Sequence, residues 1–322
     1  MLQPQFEVEG FRELLISVRD LSKSQSFYTN VLGYEAFHEG STDEALLRAY
    51  QLKKGARGRE VLLRNPGDET GYVRLVAFDG VKSEPIRSGG QAWDTGGIFD
   101  FNLRVRDMMT GFRDFQSAGW NGLSDPIRYQ FGPFDVSEVL MRGPDNVIIA
   151  TMQRHAPPLT GFPNLRRFSQ VFNSTHVSRD ARRALQFFTE QLGWKIYLET
   201  VSEDRKAGPN VLGFPHNSNA QIRLPVYIVH PQGTNLGSIE FIEVQGLTGR
   251  DFSDRAHPPN LGLLLYRFPV KNLSAYAKFV VENGVDLRVP TRMLELLPYG
   301  RVALFAVQSP DGVWLEFFEP MD

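Results

Sequence analysis

The chain has 322 residues, 22 % of them charged, and a formal net charge of −2. That length exceeds the span of one hydrophobic core and calls for two domains. The near-balanced charge leaves no broad electrostatic lever for nucleic acid or anionic lipid, so a small molecule is the expected partner. With no cysteine in the chain, disulfides, thiolate metal ligands and a thiol nucleophile are all excluded.

The opening MLQPQFEVEGF lacks a basic stretch ahead of an apolar one, and no apolar run approaches the ~18 residues of a membrane helix. A cytoplasmic protein without membrane contact is expected. The first predicted element is the strand LLISVRD, closed by the turn acid Asp20; SKSQSFYTNVL follows with apolar residues at helical spacing and stops at Gly33. The same order of strand, turn, helix and glycine returns three times. It runs through FNLRVRD with Asp107 and Gly119, STHVSRD with Asp180 and Gly193, and YRFPVKN with Asn272 and Gly284. Thirteen residues separate turn from glycine in the first and third copies and twelve in the second and fourth, so the chain is four modules in the order A-B-A-B.

Several short β-like stretches follow each helix, such as RVALFAV and VWLEFFE in the last module. Both B modules set a turn, GPDN or SPDG, before their last strand. The Pro-rich QRHAPPLTGFPNLRR reads as a linker, which gives an N-terminal pair of modules over 1–152, a linker over 153–167 and a C-terminal pair over 168–322. The connections Glu39 to Arg59 and Glu199 to Asn219 occupy matching places in the A modules, and their length suits segments that cover a cavity.

A βαβββ unit whose helix closes on F-[FY]-x-x-x-L-G-[WY], seen here in FYTNVLGYE and FFTEQLGWK, resembles the vicinal oxygen chelate superfamily. Glyoxalase I, the extradiol dioxygenases and the bleomycin-resistance proteins share that unit, and the resemblance covers nearly the whole chain. It implies an α+β fold in which four βαβββ modules pair into two half-open curled-sheet barrels, each around a cavity suited to a small ligand. It also implies a divalent metal (Mg, Mn or Fe); no organic cofactor is evident in the sequence. The metal would polarise vicinal oxygens for isomerase, lyase or dioxygenase-like chemistry on a mostly hydrophobic aromatic or carbonyl substrate.

The family places one ligand on each first strand, seven residues before the turn residue, and one on each last strand. Here those positions fall on Glu13, Asp100, Asn173 and Leu265, and on Arg74, Ala150, Glu240 and Glu316. None is histidine, so the two-histidine, one-carboxylate iron site cannot be assembled there. Only a one-residue bulge that re-aims His176 would change this.

Two pairings of the modules are open. If modules three and four share a cavity, Asn173, Glu240 and Glu316 converge as oxygen donors for a hard cation, and Glu316 or Glu240 also serves as a base beside a metal-bound carbonyl. If one pairs with four and two with three, the first cavity carries Glu13, Arg74 and Glu316 with a guanidinium in place of the cation. The second then carries Asp100, Asn173 and Glu240 as an oxygen-rich metal site. The alternative function is a metal-free enzyme or a ligand-sequestering protein similar to the bleomycin-resistance branch.

His230, ending the strand in YIVHPQ, is the free histidine best placed as an acid or base. Tyr299 and Arg301 in LPYGRVALF join Glu13 and Arg74 as candidates to contact substrate. Glu243 and Glu319, three residues beyond the candidate glutamates, are read as surface charges, and Asp20, Asp107 and Asp180 as turn and helix-cap residues without chemistry. A homodimer is an open option.

Overall fold

The computed structural model describes residues 6–202 and 206–321. Each module's helix begins at the expected turn residue. Asp20, Asp107, Asp180 and Asn272 each accept a bond from the backbone N–H three residues on, at 3.0, 2.8, 2.9 and 3.3 Å, which satisfies one of the donors a helix start leaves over. Gly33 and Gly193 lie beyond the helix ends of modules one and three at φ of 76° and 75°, a left-handed geometry that a Cβ disfavours.

The thirteen-residue spacing of modules one and three has a structural cause. Their helices finish in π turns, Tyr28–Leu32 and Phe187–Gln191, and the wider i→i+5 turn absorbs one more residue before the same glycine. FYTNVLG and FFTEQLG are therefore two copies of one π-turn helix end. Glu243 and Glu319, expected as surface charges, are tied down instead. Glu319 accepts from the N–H groups of Asn272 and Leu273 at 2.7 and 2.9 Å, and Glu243 from that of Ala181 at 3.1 Å. Each clamps the last strand of its module to the start of that module's helix, where the helix dipole favours an anion.

Among the described residues the strands form two nine-stranded sheets. In one, the first strands of modules one (Glu13–Ser17) and four (Gly262–Lys271) pair antiparallel at the centre. In the other, those of modules two (Ile98–Val105) and three (Phe168–Val177) do so. Each first strand also runs parallel to the last strand of its own module. The shared sheets thus combine module one with four and two with three, crossing the division at 153–167. The start of that segment continues the strand Ile148–Ala156. Further on, Asn164 Nδ2 bonds Asp68 Oδ1 at 2.8 Å and the Arg166 carbonyl accepts from Arg106 Nε at 2.8 Å.

One hydrophobic cluster draws on all four modules, with Phe11, Phe101, Phe168 and Phe268 among its members, and two smaller clusters sit one in each sheet's curl. The two barrels are locked together by polar contacts as well: Tyr266 OH bonds Ser174 Oγ at 2.7 Å and His176 Nε2 at 3.0 Å. No helix among the described residues is long and apolar enough to cross a membrane.

Candidate functional site

The two barrels have different interiors. In the barrel of modules one and four, the strand register sets Glu13, Arg267 and Glu316 side by side on three neighbouring strands. Arg267 donates through Nε to Glu316 Oε2 at 2.6 Å, through Nη1 to Glu13 Oε1 at 2.7 Å and through Nη2 to Tyr50 OH at 3.1 Å. Arg74 grips the same Glu13 with Nε and Nη2 at 2.8 and 3.0 Å and reaches Glu60 Oε1 with Nη1 at 2.6 Å. Tyr299 OH donates to Glu13 Oε2 at 2.9 Å, and Thr42 Oγ1 to Glu60 Oε2 at 2.9 Å.

Glu13, Arg74, Arg267 and Glu316 expose 0 % of their surface. Burial pushes the Glu13 carboxyl up, but the two guanidinium groups overcome that and hold it at about 2. This interior is a closed ionic core whose ligands are its own side chains. The helix Glu44–Ala49, which delivers Tyr50, lies in the Glu39 to Arg59 connection and fills the cavity it was expected to cover.

The barrel of modules two and three holds an open cavity of about 270 Å³. Asp100, Thr175 and Glu240 stand side by side on its wall, and Glu138 faces it from the strand Phe134–Arg142. Burial raises the Asp100 carboxyl to about 8, aided by the Glu138 charge, against a bond from Thr175. Burial likewise raises Glu138 to about 7, with the Tyr129 hydroxyl and Arg104 opposing. Glu240 is pushed well up by burial and then by Asp100 and Glu138. Tyr129 OH donates to Glu138 Oε2. Val211 and Leu212, from the second long connection, close one side.

Several expected site residues lie elsewhere. His230 is buried but away from this cavity: its Nδ1 accepts from the Gln232 N–H at 2.9 Å and its ring packs against Gly10 and the Leu236 carbonyl. Burial holds it neutral, at about 4. Arg301 is exposed at the start of the strand Arg301–Gln308. Glu13, Arg74 and Tyr299 do meet, but they bind each other in the closed core. A register shift is present at His176, yet the ring turns toward Tyr266 and Asp311 rather than into the cavity. A wider groove of about 740 Å³ runs along the start of the module-three helix, on the outer face, with Arg179 and Asp251 paired at 3.0 Å across it.

Three residues that the motif count did not reach complete both interiors: Arg267, Glu60 and Glu138. The count pointed to Leu265, two residues short of Arg267 on the same strand face. An arginine inside the apolar YRFPV was the available signal.

Solved structures with the same chain path include glyoxalase I from Zea mays. It is 14 % identical with a TM-score of 0.66, over 98 % of this chain and 93 % of that one. A Bacillus subtilis protein assigned provisionally as a dioxygenase is 10 % identical with a TM-score of 0.62, over 98 % of this chain and 86 % of that one. This chain has the vicinal oxygen chelate fold. No protein-family model matches the sequence, and a search of curated proteins by sequence found no match.

The metal that commonly accompanies the vicinal oxygen chelate fold does not fit these residues. Glu316 belongs to the other barrel and is held by Arg267, so the set Asn173, Glu240, Glu316 and Asp100 is divided. Asn173 has both ends of its amide engaged, accepting from Asn102 Nδ2 and donating to Ser238 Oγ, each at 2.8 Å. Asp100 and Glu240 flank Thr175 on separate strands, which places their backbones about 10 Å apart, two interstrand spacings. Among the described residues no three His, Asp or Glu side chains are gathered to hold a metal ion.

Proposed function

We propose that the cavity between modules two and three is the small-molecule site, and that it performs metal-independent proton transfer of the isomerase or lyase kind on a compact carbonyl substrate. The observation that supports this is the set of three carboxyl groups in the open cavity, two of them brought close to neutral pH. A carboxyl poised near 7 can take a proton beside a carbonyl while its neighbour returns one to the oxygen, which is the division of labour that shifted carboxyl pairs provide. In this reading Glu138, oriented by Tyr129, is the base. Asp100, higher in pKa and flanked by Asn102 Nδ2 at 3.4 Å, is the acid. Phe99, Leu224 and Val226 supply apolar wall beside the carboxyl groups for the body of the substrate.

The test is proton exchange in D₂O with small aromatic ketones and hydroxyketones, followed by NMR before and after exhaustive chelation. Exchange should survive chelation and fall about 100-fold or more in Glu138→Gln or Asp100→Asn. Loss on chelation with recovery on adding Mg²⁺ or Mn²⁺ would overturn the reading. Thermal stabilisation by the probes without exchange would favour sequestration over catalysis.

A further inference from the structure

The two barrels can be matched residue by residue through their strand registers. Glu13, Arg267 and Glu316 form one row across three strands; Asp100, Thr175 and Glu240 form the corresponding row in the other barrel. On the last strands, Arg74 stands opposite Leu62 and Ala150 opposite Leu140. Two residues before those leucines lie Glu60 and Glu138. The three carboxylates therefore recur at equivalent places, whereas the two arginines of the closed barrel become Thr175 and Ala150 in the open one.

From this we propose that the cavity of modules two and three takes an organic cation, an amidine, guanidine or amine carried on an apolar body, with its head between Asp100 and Glu240. The inference rests on the reading of that cavity as the ligand site. The closed barrel shows what such a head meets: a guanidinium seated between two carboxylates at 2.6 and 2.7 Å, on strands in the same register. In the open barrel Glu240 makes no hydrogen bond or ion pair among the described residues, and the larger Arg side chains have been replaced by small ones. The span between Asp100 and Glu240 suits a planar, multi-donor head better than a single ion, because each N–H can address a different oxygen.

The other charges near the cavity are already engaged. Arg104 lies over the Phe172 ring at 4.1 Å with Nη1 on Met152 Sδ at 2.7 Å. Arg87 donates to the carbonyls of Gly96 and Asp94 at 2.7 and 2.9 Å. Neither pairs with Asp100, Glu138 or Glu240 among the described residues. A bound cation would favour ionised Glu240, while Asp100 keeps its proton and accepts an N–H through its carbonyl oxygen, so binding should release one proton and tighten as pH rises from 6 to 8, by up to about tenfold per unit.

Calorimetric titration with benzamidine, and with its neutral isostere benzamide, tests this at pH 6 and pH 8. Saturable benzamidine binding is expected, at least about tenfold tighter than that of benzamide and tighter at pH 8, and weakened about tenfold or more in Glu240→Gln and Asp100→Asn. Thr175→Arg would supply an internal guanidinium, abolish benzamidine binding and raise the melting temperature; if it fails to fold, Glu240→Gln decides. Equal affinity for the two probes would overturn the cationic inference while leaving the cavity as a small-molecule site. Displacement of benzamidine by Mg²⁺ or Mn²⁺ would also overturn it. Binding of neither probe, with the D₂O exchange also absent, would remove both readings.

Discussion

Replacing Arg267 by methionine removes the cation that joins three groups in the closed barrel. Glu13 keeps Arg74, at 2.8 and 3.0 Å, and Tyr299 at 2.9 Å. Glu316 keeps no cation: among the described residues its one ion pair is with Arg267 at 2.6 Å, its Oε1 lacks a hydrogen-bond partner, and the neutral Tyr50 hydroxyl is the group left beside it. The substitution therefore strands one fully buried carboxylate, and breaking a buried pair in this way costs about 3–5 kcal/mol. For a chain of this size that corresponds to a fall in melting temperature of roughly 4–7 °C. Reversible urea unfolding of Arg267→Met, Glu316→Gln and the double variant provides the assay. The double variant should recover about 2 kcal/mol or more, since neutralising Glu316 removes the stranded charge. A cost below about 1 kcal/mol for Arg267→Met, or strictly additive losses in the double variant, would refute the reasoning.

The open barrel should respond in the opposite sense. Asp100 and Glu138 have folded-state values of about 8 and 7, above those of an unfolded chain, so the folded state holds more protons and ligand-free stability falls as pH rises from about 4 through 8. Glu240→Gln should therefore stabilise the protein at pH 8, by an order of 1 kcal/mol, and hardly at pH 4.5, as read from urea midpoints. No gain at pH 8 would contradict the burial of that carboxyl. Glu13, depressed to about 2, supplies stability present above the unfolded value near 4.5 and lost as pH falls through 2. Acid unfolding of Glu13→Gln should accordingly show a shallower slope between pH 4.5 and 2, and an unchanged slope would count against the buried ion pairs.

The fold was legible because local chemistry repeats: a turn residue able to cap a helix and a glycine able to leave it recur at nearly fixed spacing. Even the one-residue difference between A and B modules had meaning, as the π turns at Tyr28–Leu32 and Phe187–Gln191 show. Module pairing was not legible, because all four modules present similar strands and the choice is made by antiparallel registers between residues as distant as Glu13 and Arg267. The candidate residues Glu13, Arg74, Asp100, Glu240 and Glu316 all proved to line barrel interiors, since strand alternation carries that information. What alternation does not carry is partnership. Glu13 and Asp100 occupy equivalent positions, yet one is held ionised by Arg74 and Arg267 and the other is pushed toward its neutral form, because Arg267 and Arg74 are matched by Thr175 and Ala150.

That contrast gives the most direct measurement. Crystals soaked with 4-iodobenzamidine and measured at a wavelength where iodine scatters anomalously locate the bound ring without reference to activity. The iodine peak should lie in the cavity of modules two and three, with the amidine between Asp100 and Glu240 and the closed barrel empty of ligand. A peak beside Glu13 and Glu316, or none at a concentration that saturates the protein in solution, would contradict the division of the two barrels into an ionic core and a ligand site.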